Sequence, residues 1–253
     1  MTLFPPVRCL PGLAAALMLS GAAMAQDAGS MTEAERTAFR AEVRAYLMEN
    51  PEVLMEAIAV LEQRQQEDAV ANDLALLETN ADEILNDPNS WVGGNLDGDI
   101  TLVEFVDYRC GYCRKAHDEV AELVKSDGNI RFVLKEYPIL GEQSVLSSRF
   151  AIAVRQLAGD DAYARAHQAL ITFRGDVSTE ALDRLAGELG LDGKAILARM
   201  DSPEVTAVLD ANQSLGGRLE INGTPTFIID RTMVRGYVPL DGMRSIVEGQ
   251  RKG

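Results

Sequence analysis

The sequence predicts an α/β fold with a helical block inserted into its sheet and a helical arm ahead of it. Three observations carry this. Short runs rich in β-branched and aromatic residues, Ile100 to Val106, Ile130 to Tyr137, Thr226 to Ile229 and Met233 to Gly236, read as strands. Between the second and third of them, from about 142 to 219, the apolar spacing is helical throughout. Ahead of all four, no glycine interrupts the chain between Met31 and Trp91, and apolar residues again recur at helical intervals.

The first 25 residues read as a secretory signal. Arg8 precedes an apolar stretch from Leu13 to Leu19, and Ala23-Met24-Ala25 supplies a small-x-small cleavage pattern, so the mature chain is expected to start near Gln26. The apolar stretch is far shorter than the ~20 residues that cross a bilayer. Cys9 lies before that stretch, so cleavage leaves Cys110 and Cys113 as the mature chain's two cysteines. The whole sequence carries a formal net charge of −15. Removing a leader whose one charge is Arg8 makes the remainder more acidic still, which excludes nucleic acid as a partner because phosphates would be repelled.

Gln26 to Ser30 is small and polar and is expected to be disordered. The segment 26–90 is then read as the arm. Glu33 and Glu35 sit where a helix N-terminus favours negative charge, and Phe39, Val43 and Tyr46/Leu47 follow at helical spacing. Asn50-Pro51 reads as the start of a second helix. Its seam runs through Leu54, Ile58 and Leu61, lapses over the polar residues Glu62 to Asp68, and resumes at Val70, Leu77 and Ile84. Leu47, Leu54 and Leu61, like Val70, Leu77 and Ile84, stand seven apart, a spacing suited to self-association or to folding back on the chain's own domain. Gly93-Gly94-Asn95 and Asp97-Gly98 read as turns leading into the domain 91–253.

The chemistry is expected at Cys110-Gly111-Tyr112-Cys113, where the first strand hands over to a helix. Unpaired N–H groups and the dipole at that helix terminus favour a thiolate at Cys110, which makes it the nucleophile and Cys113 the resolving thiol. A structural disulfide closing a two-residue loop would constrain the unfolded chain little. Zinc needs about four ligands, and the chain offers these thiols, His117 and the distant His167. A covalent haem needs a His directly after the second Cys, where Arg114 stands. Redox use of the pair needs no metal and no other cofactor. His117 lies one helical turn beyond Cys113 and reads more simply as a surface histidine than as a ligand.

With these elements in place, the cysteine domain resembles the thioredoxin-fold, DsbA-like thiol-disulfide oxidoreductases. The resemblance rests on Glu104 to Cys113, Lys135-Glu136-Tyr137-Pro138 and Gly223-Thr224-Pro225-Thr226-Phe227. The arm, above all Tyr46 to Leu54, is similar to the N-terminal domain of the ScsC-type proteins, a periplasmic group that includes trimeric disulfide isomerases. The resemblance implies a thioredoxin fold with its helical insertion at about 142–219. It implies a cis Thr224-Pro225 bond facing the cysteines, with Gly111, Tyr112, Thr224 and Pro225 lining the substrate groove. It also implies that Glu104 is a buried acid able to take a proton from Cys113, with Lys135 as its basic partner. Tyr112 replaces the His found in strongly oxidising members, which removes a positive neighbour from Cys110.

These readings converge on periplasmic thiol-disulfide exchange with exported cysteine-containing proteins, served by a membrane redox partner. Isomerase or reductase action by a homotrimer is the leading expectation. A monomeric dithiol oxidase is the alternative, and from another class a periplasmic copper-binding protein, since two thiolates suffice for Cu(I).

Overall fold

The computed structural model describes residues 31–252. The expected signal peptide and the segment Gln26 to Ser30 lie outside the described residues. The described residues form two compact units, one ending at Glu62 and the other beginning at Gln63.

In the first unit, α1 (Glu33–Glu49) starts from Thr32, whose hydroxyl accepts from the Glu35 N–H while the Glu35 carboxylate reaches back to the Thr32 N–H at 2.8 Å. This reciprocal cap satisfies donors that the first helical turn would otherwise leave open. Asn50 closes α1, and α2 (Glu52–Thr79) begins one residue beyond Pro51. No residue of α1 is buried, and Phe39, Val43, Tyr46, Leu54, Ile58 and Leu61 are all exposed. Phe39, Val43, Leu47 and Leu54 line one shallow apolar groove within this unit.

The second unit contains the sheet. The later part of α2 and the short α3 (Ala81–Leu85) belong to it, and Leu77 and Ile84 are buried against Val103, Phe105, Ile228 and Met233. The second heptad series is therefore divided: Leu77 and Ile84 are core of this unit, and Val70 is exposed. Where Gly93-Gly94 predict a turn, the structure has the end of a strand, β1 (Trp91–Gly94), which pairs antiparallel with β3 (Ile130–Glu136). Its two glycines hide it from any pattern based on side-chain hydrophobicity. β2 (Ile100–Val106) runs parallel to β3, and β4 (Thr226–Ile229) and β5 (Thr232–Arg235) complete a sheet in the order β1-β3-β2-β4-β5.

Between β2 and β3 lies α4 (Gly111–Asp127), ended by Gly128 in the left-handed region at φ 72°, with its N–H on the Val124 carbonyl. Only glycine adopts that conformation without a Cβ penalty. The insertion comprises α5 (Glu142–Ala158), α6 (Asp160–Thr172), α7 (Thr179–Glu188), α8 (Gly193–Met200) and α9 (Pro203–Arg218). Ser178, Asp192 and Ser202 cap α7, α8 and α9, each accepting a backbone N–H. Such caps contribute about 1 kcal/mol apiece. The final helix is α10 (Leu240–Lys252), which packs Met243 and Val247 beside Val120 and Leu123 of α4.

Alternation along β2 decides what lies near the cysteines. Leu102, Glu104 and Val106 face α4, whereas Val103 and Phe105 face the opposite layer with Tyr137 and Leu215.

Candidate active site

The loop between β2 and α4 is held by Asp107. One carboxylate oxygen accepts the Arg109 N–H at 2.8 Å, and the other accepts the N–H groups of Ile139 and Leu140 at 2.8 and 3.0 Å, so the end of β3 is tied to the start of the cysteine helix. Cys110 then occupies the N-cap position, with extended backbone and its carbonyl taking the Arg114 N–H. The Cys110 side chain is 7% exposed and that of Cys113 is fully covered.

The two thiols have opposite electrostatics. A hydrogen bond with the Cys113 thiol, against the cost of burial, brings Cys110 down to about 5, helped by Thr224 and by the N–H groups of Cys113 and Tyr112. Cys113 is driven far above the ordinary thiol range by that same bond, by burial and by the charge of Glu104. In its thiol form Cys110 donates to the Thr224 carbonyl at 3.1 Å. The Thr224–Pro225 bond is cis. The Pro225 carbonyl accepts the Gly236 N–H at 2.9 Å, joining this loop to the end of β5.

Gly111 and Tyr112 are exposed at the helix start. Tyr112 is 62% exposed and stacks on Tyr237 with ring centroids 6.2 Å apart, while the Lys115 ammonium lies 4.0 Å from the Tyr237 ring centre. Tyr237 donates to Glu119 at 2.6 Å. Nothing in the sequence around Arg235-Gly236-Tyr237 points to this place for Tyr237, which the fold brings beside α4.

Glu104 is 3% exposed on the α4 face of β2. Burial, then the charges of Cys110 and Glu136, raise it to about 8. Lys135 is not its partner, and here the structure corrects the sequence reading. Within the parallel β2–β3 register Glu104 is opposite Leu134 and Lys135 is opposite Phe105, so Lys135 points through the other face of the sheet. Its ammonium donates at 2.7 Å to both Asp87 and the Glu83 carbonyl, a structural tie between the sheet, α3 and the residues that follow α3.

The residue that does share the Glu104 face is Glu136, a site the sequence motif Lys135-Glu136-Tyr137-Pro138 does not single out. Tyr108 and Tyr163 donate to one of its oxygens at 2.8 and 2.6 Å. Burial raises it to about 7 in spite of these donors and of Ser148. The Tyr108 oxygen also lies 3.0 Å from His167 Nδ1. Since the hydroxyl hydrogen goes to Glu136, Nδ1 is the protonated nitrogen of a neutral His167, which burial and then His117 push down to about 3. His117 itself pairs with Gln168 at 2.6 Å.

The sequence profile of the DSBA-like thioredoxin domain matches residues 101–248, and that of the copper resistance protein ScsC N-terminal domain matches 35–67. A thioredoxin-like oxidoreductase of Silicibacter pomeroyi DSS-3 is 41% identical over 68% of this chain and 98% of its own, with a TM-score of 0.63. A linker-deletion variant of Proteus mirabilis ScsC is 26% identical, covers 89% of this chain and 99% of its own, and gives a TM-score of 0.66. Among curated proteins, the Na(+)/H(+) antiporter NhaA of Herminiimonas arsenicoxydans is 26% identical over 167 residues, 64% of this chain. This chain spans only about a quarter (26%) of that antiporter's length. With a low-pKa thiol at the N-cap of a helix, a second, buried thiol beneath it and the profile covering both, the chain belongs to the DSBA-like thioredoxin family of thiol-disulfide exchange proteins.

Proposed function

We propose that this protein is exported to the periplasm, after cleavage before Gln26, and there acts as a disulfide isomerase or reductase assembled as a homo-oligomer by its N-terminal helices. The observation that carries the assembly is the apolar surface of the first unit. Phe39, Val43, Tyr46, Leu54, Ile58 and Leu61 stand exposed on two helices that bury almost nothing within their own unit. Helices of this kind are stabilised by packing against something, and the ScsC profile over 35–67 supports reading that something as further copies of the same helices, with a trimer the proposed assembly.

At each site the Cys110 thiolate attacks a substrate disulfide and forms a mixed disulfide, releasing the other substrate thiolate. Either that substrate finds its own new partner thiol, which completes isomerisation, or Cys113 attacks Cys110 Sγ, expels the substrate and leaves a Cys110–Cys113 disulfide. Glu104 takes the Cys113 proton in the second case. Several sites around one space raise the effective thiol concentration near a bound substrate, which favours repeated trials on a misfolded protein. A pair that must be reduced to begin this cycle needs an electron donor, and a membrane dithiol protein is the proposed one.

Light scattering on the mature protein at low and high salt tests the assembly. Association is expected to tighten as salt screens the acidic chains from one another. A monomer at both salt concentrations would instead put the dithiol oxidase first.

A further inference from the structure

Three arginines gather beside Cys110 where the helical insertion meets the cysteine loop. Arg109 directly precedes Cys110, and its Nη1 donates at 2.9 Å to the Gly175 carbonyl in the turn between α6 and α7. Arg174 is the chain neighbour of Gly175 and is exposed. Arg114, at the start of α4, donates from Nε to the Tyr108 carbonyl at 2.9 Å, so its side chain leans back over the loop that carries Arg109. The turn holding Arg174 is itself fastened to α5: Gln143 accepts the Val177 N–H at 3.1 Å and donates to Asp176 at 3.3 Å.

No ion pair accounts for this grouping. Cations that tie the fold together have carboxylates, as Arg155 has Asp160 and Arg251 has Asp99 and Asp127, whereas Arg109, Arg114 and Arg174 form no ion pair among the described residues. Asp107, the acid nearest in sequence, has both oxygens committed to backbone N–H groups. Burial first, and then the charges of Arg109 and Arg174, hold Arg114 below the usual guanidinium range, against the pull of Asp107. Its Nη2 is covered and finds no acceptor among the described residues. Keeping like charges together in a partly covered place costs free energy, which an arriving anion offsets. The whole sequence carries a net charge of −15, so this patch opposes the field around it.

We propose that Arg109, Arg114 and Arg174 form a carboxylate subsite beside Cys110, which selects substrate disulfides whose reacting cysteine has an aspartate or glutamate close by in the sequence. Guanidinium forks match carboxylates in geometry as well as charge. Arg174 presents an exposed fork, Arg109 presents the donors not engaged by Gly175, and Arg114 supplies charge from behind them. An extended strand advances about 3.3 Å per residue, so a carboxylate one or two residues from the attacked cysteine comes within reach of Arg109 and Arg174. The inference rests on Cys110 as the attacking thiol and adds the chemistry of the segment it attacks. In that step the Cys110 thiolate forms a bond to one substrate sulfur, the substrate disulfide breaks, and its electron pair leaves on the other substrate sulfur. The arginines hold the substrate carboxylate throughout and exchange no proton.

The probes are two synthetic peptides, each a symmetric disulfide dimer with blocked ends, alike except that glutamate follows the cysteine in one and glutamine in the other. Adduct formation at Cys110 is timed by mass spectrometry in the full mature chain carrying Cys113→Ala, which retains the adduct. The glutamate peptide is expected to react about tenfold faster at low salt, as a charge-assisted hydrogen bond allows, with the ratio falling as salt is added. Arg174→Gln should lower the ratio to about threefold, and Arg114→Gln combined with Arg174→Gln to about one. Lys125→Gln, at the far end of α4, removes the same charge and should leave the ratio at about tenfold. Equal rates for the two peptides with all three arginines present overturn the subsite and leave Cys110 as the nucleophile. A ratio that survives in the double variant, or that Lys125→Gln abolishes as well, puts the preference elsewhere and overturns the subsite too. No adduct at Cys110 with either peptide overturns its attacking role and the subsite together.

Discussion

Glu104 and Lys135 stand on adjacent parallel strands and point through opposite faces of the sheet, because Glu104 is in register with Leu134 and Lys135 with Phe105. The buried acid near the cysteines therefore has no lysine beside it, and its proton affinity is set by burial and by negative neighbours. Lys135 belongs to a separate ion pair with Asp87 at 2.7 Å.

Lys135→Ala is accordingly expected to destabilise the fold by about 3 kcal/mol, since it strands Asp87 and the Glu83 carbonyl in a largely covered site. It should leave the pH profile of Cys113 resolution where it was. Urea unfolding and stopped-flow resolution measured on the same variant separate the two effects, and a displaced pH profile would restore Lys135 to the catalytic group.

Glu104→Gln should slow resolution near neutral pH and also stabilise the protein at high pH. A carboxyl raised from 4.5 to about 8 on folding contributes nothing adverse below 4.5, and its penalty grows as pH climbs through the window to 8. That growth is at most about 1.4 kcal/mol per pH unit. The stability gain of the variant over the wild type should appear above pH 4.5 and level off beyond 8, as read from urea midpoints in the reduced state.

Cys110 gives the opposite sign. Its folded pKa of about 5 lies below the ordinary thiol value, so the reduced protein gains stability that is fully present above about pH 9 and is lost as pH falls through 5. Alkylation of Cys110 by iodoacetamide should show its midpoint near 5. Cys113→Ala removes the hydrogen bond that contributes most to this depression, so the midpoint should rise, and in Cys113→Ala as in Cys113→Ser mixed disulfides should accumulate. Adducts trapped by Cys110→Ser and absent from Cys113→Ser would reverse the two roles.

Tyr163→Phe removes one of the two hydroxyl donors to Glu136. A hydrogen bond to a buried carboxylate contributes about 1.5–3 kcal/mol, and a loss in that range is expected in thermal or urea unfolding. The same change should raise the Glu136 pKa further above 7, because the lost donor favoured the ionised form. A melting temperature and carboxyl titration both equal to wild type would show that the Tyr163–Glu136 contact is not formed in solution.

Removal of residues 26–62 should give a folded monomer that reduces a small disulfide at the wild-type rate and fails to rescue a scrambled multi-disulfide protein. The catalytic unit keeps its own core, including Leu77 and Ile84, so folding does not depend on the deleted helices. Rescue at the full rate by the truncated chain would separate isomerase action from assembly.

What the sequence determined by itself was whatever depends on neighbours along the chain. The strands at Ile100–Val106 and Ile130–Glu136, the five insertion helices and the placing of Cys110 at a helix start all follow from period, capping and helix-end chemistry, which act within a few residues. Contacts across the fold were decided only by the tertiary structure. A heptad spacing states that Leu77 and Ile84 need a partner but not that the partner is Val103 and Ile228. A Lys-Glu pair in a strand places one side chain on each face, and only the β2–β3 register says that Glu136, not Lys135, shares a face with Glu104. Glycines hid β1 because two of its four residues, Gly93 and Gly94, carry no side chain, so this half of the strand is defined by the backbone partner it meets in β3. Each of these turns on which strand or helix lies opposite, a relation between distant segments that local propensity cannot encode.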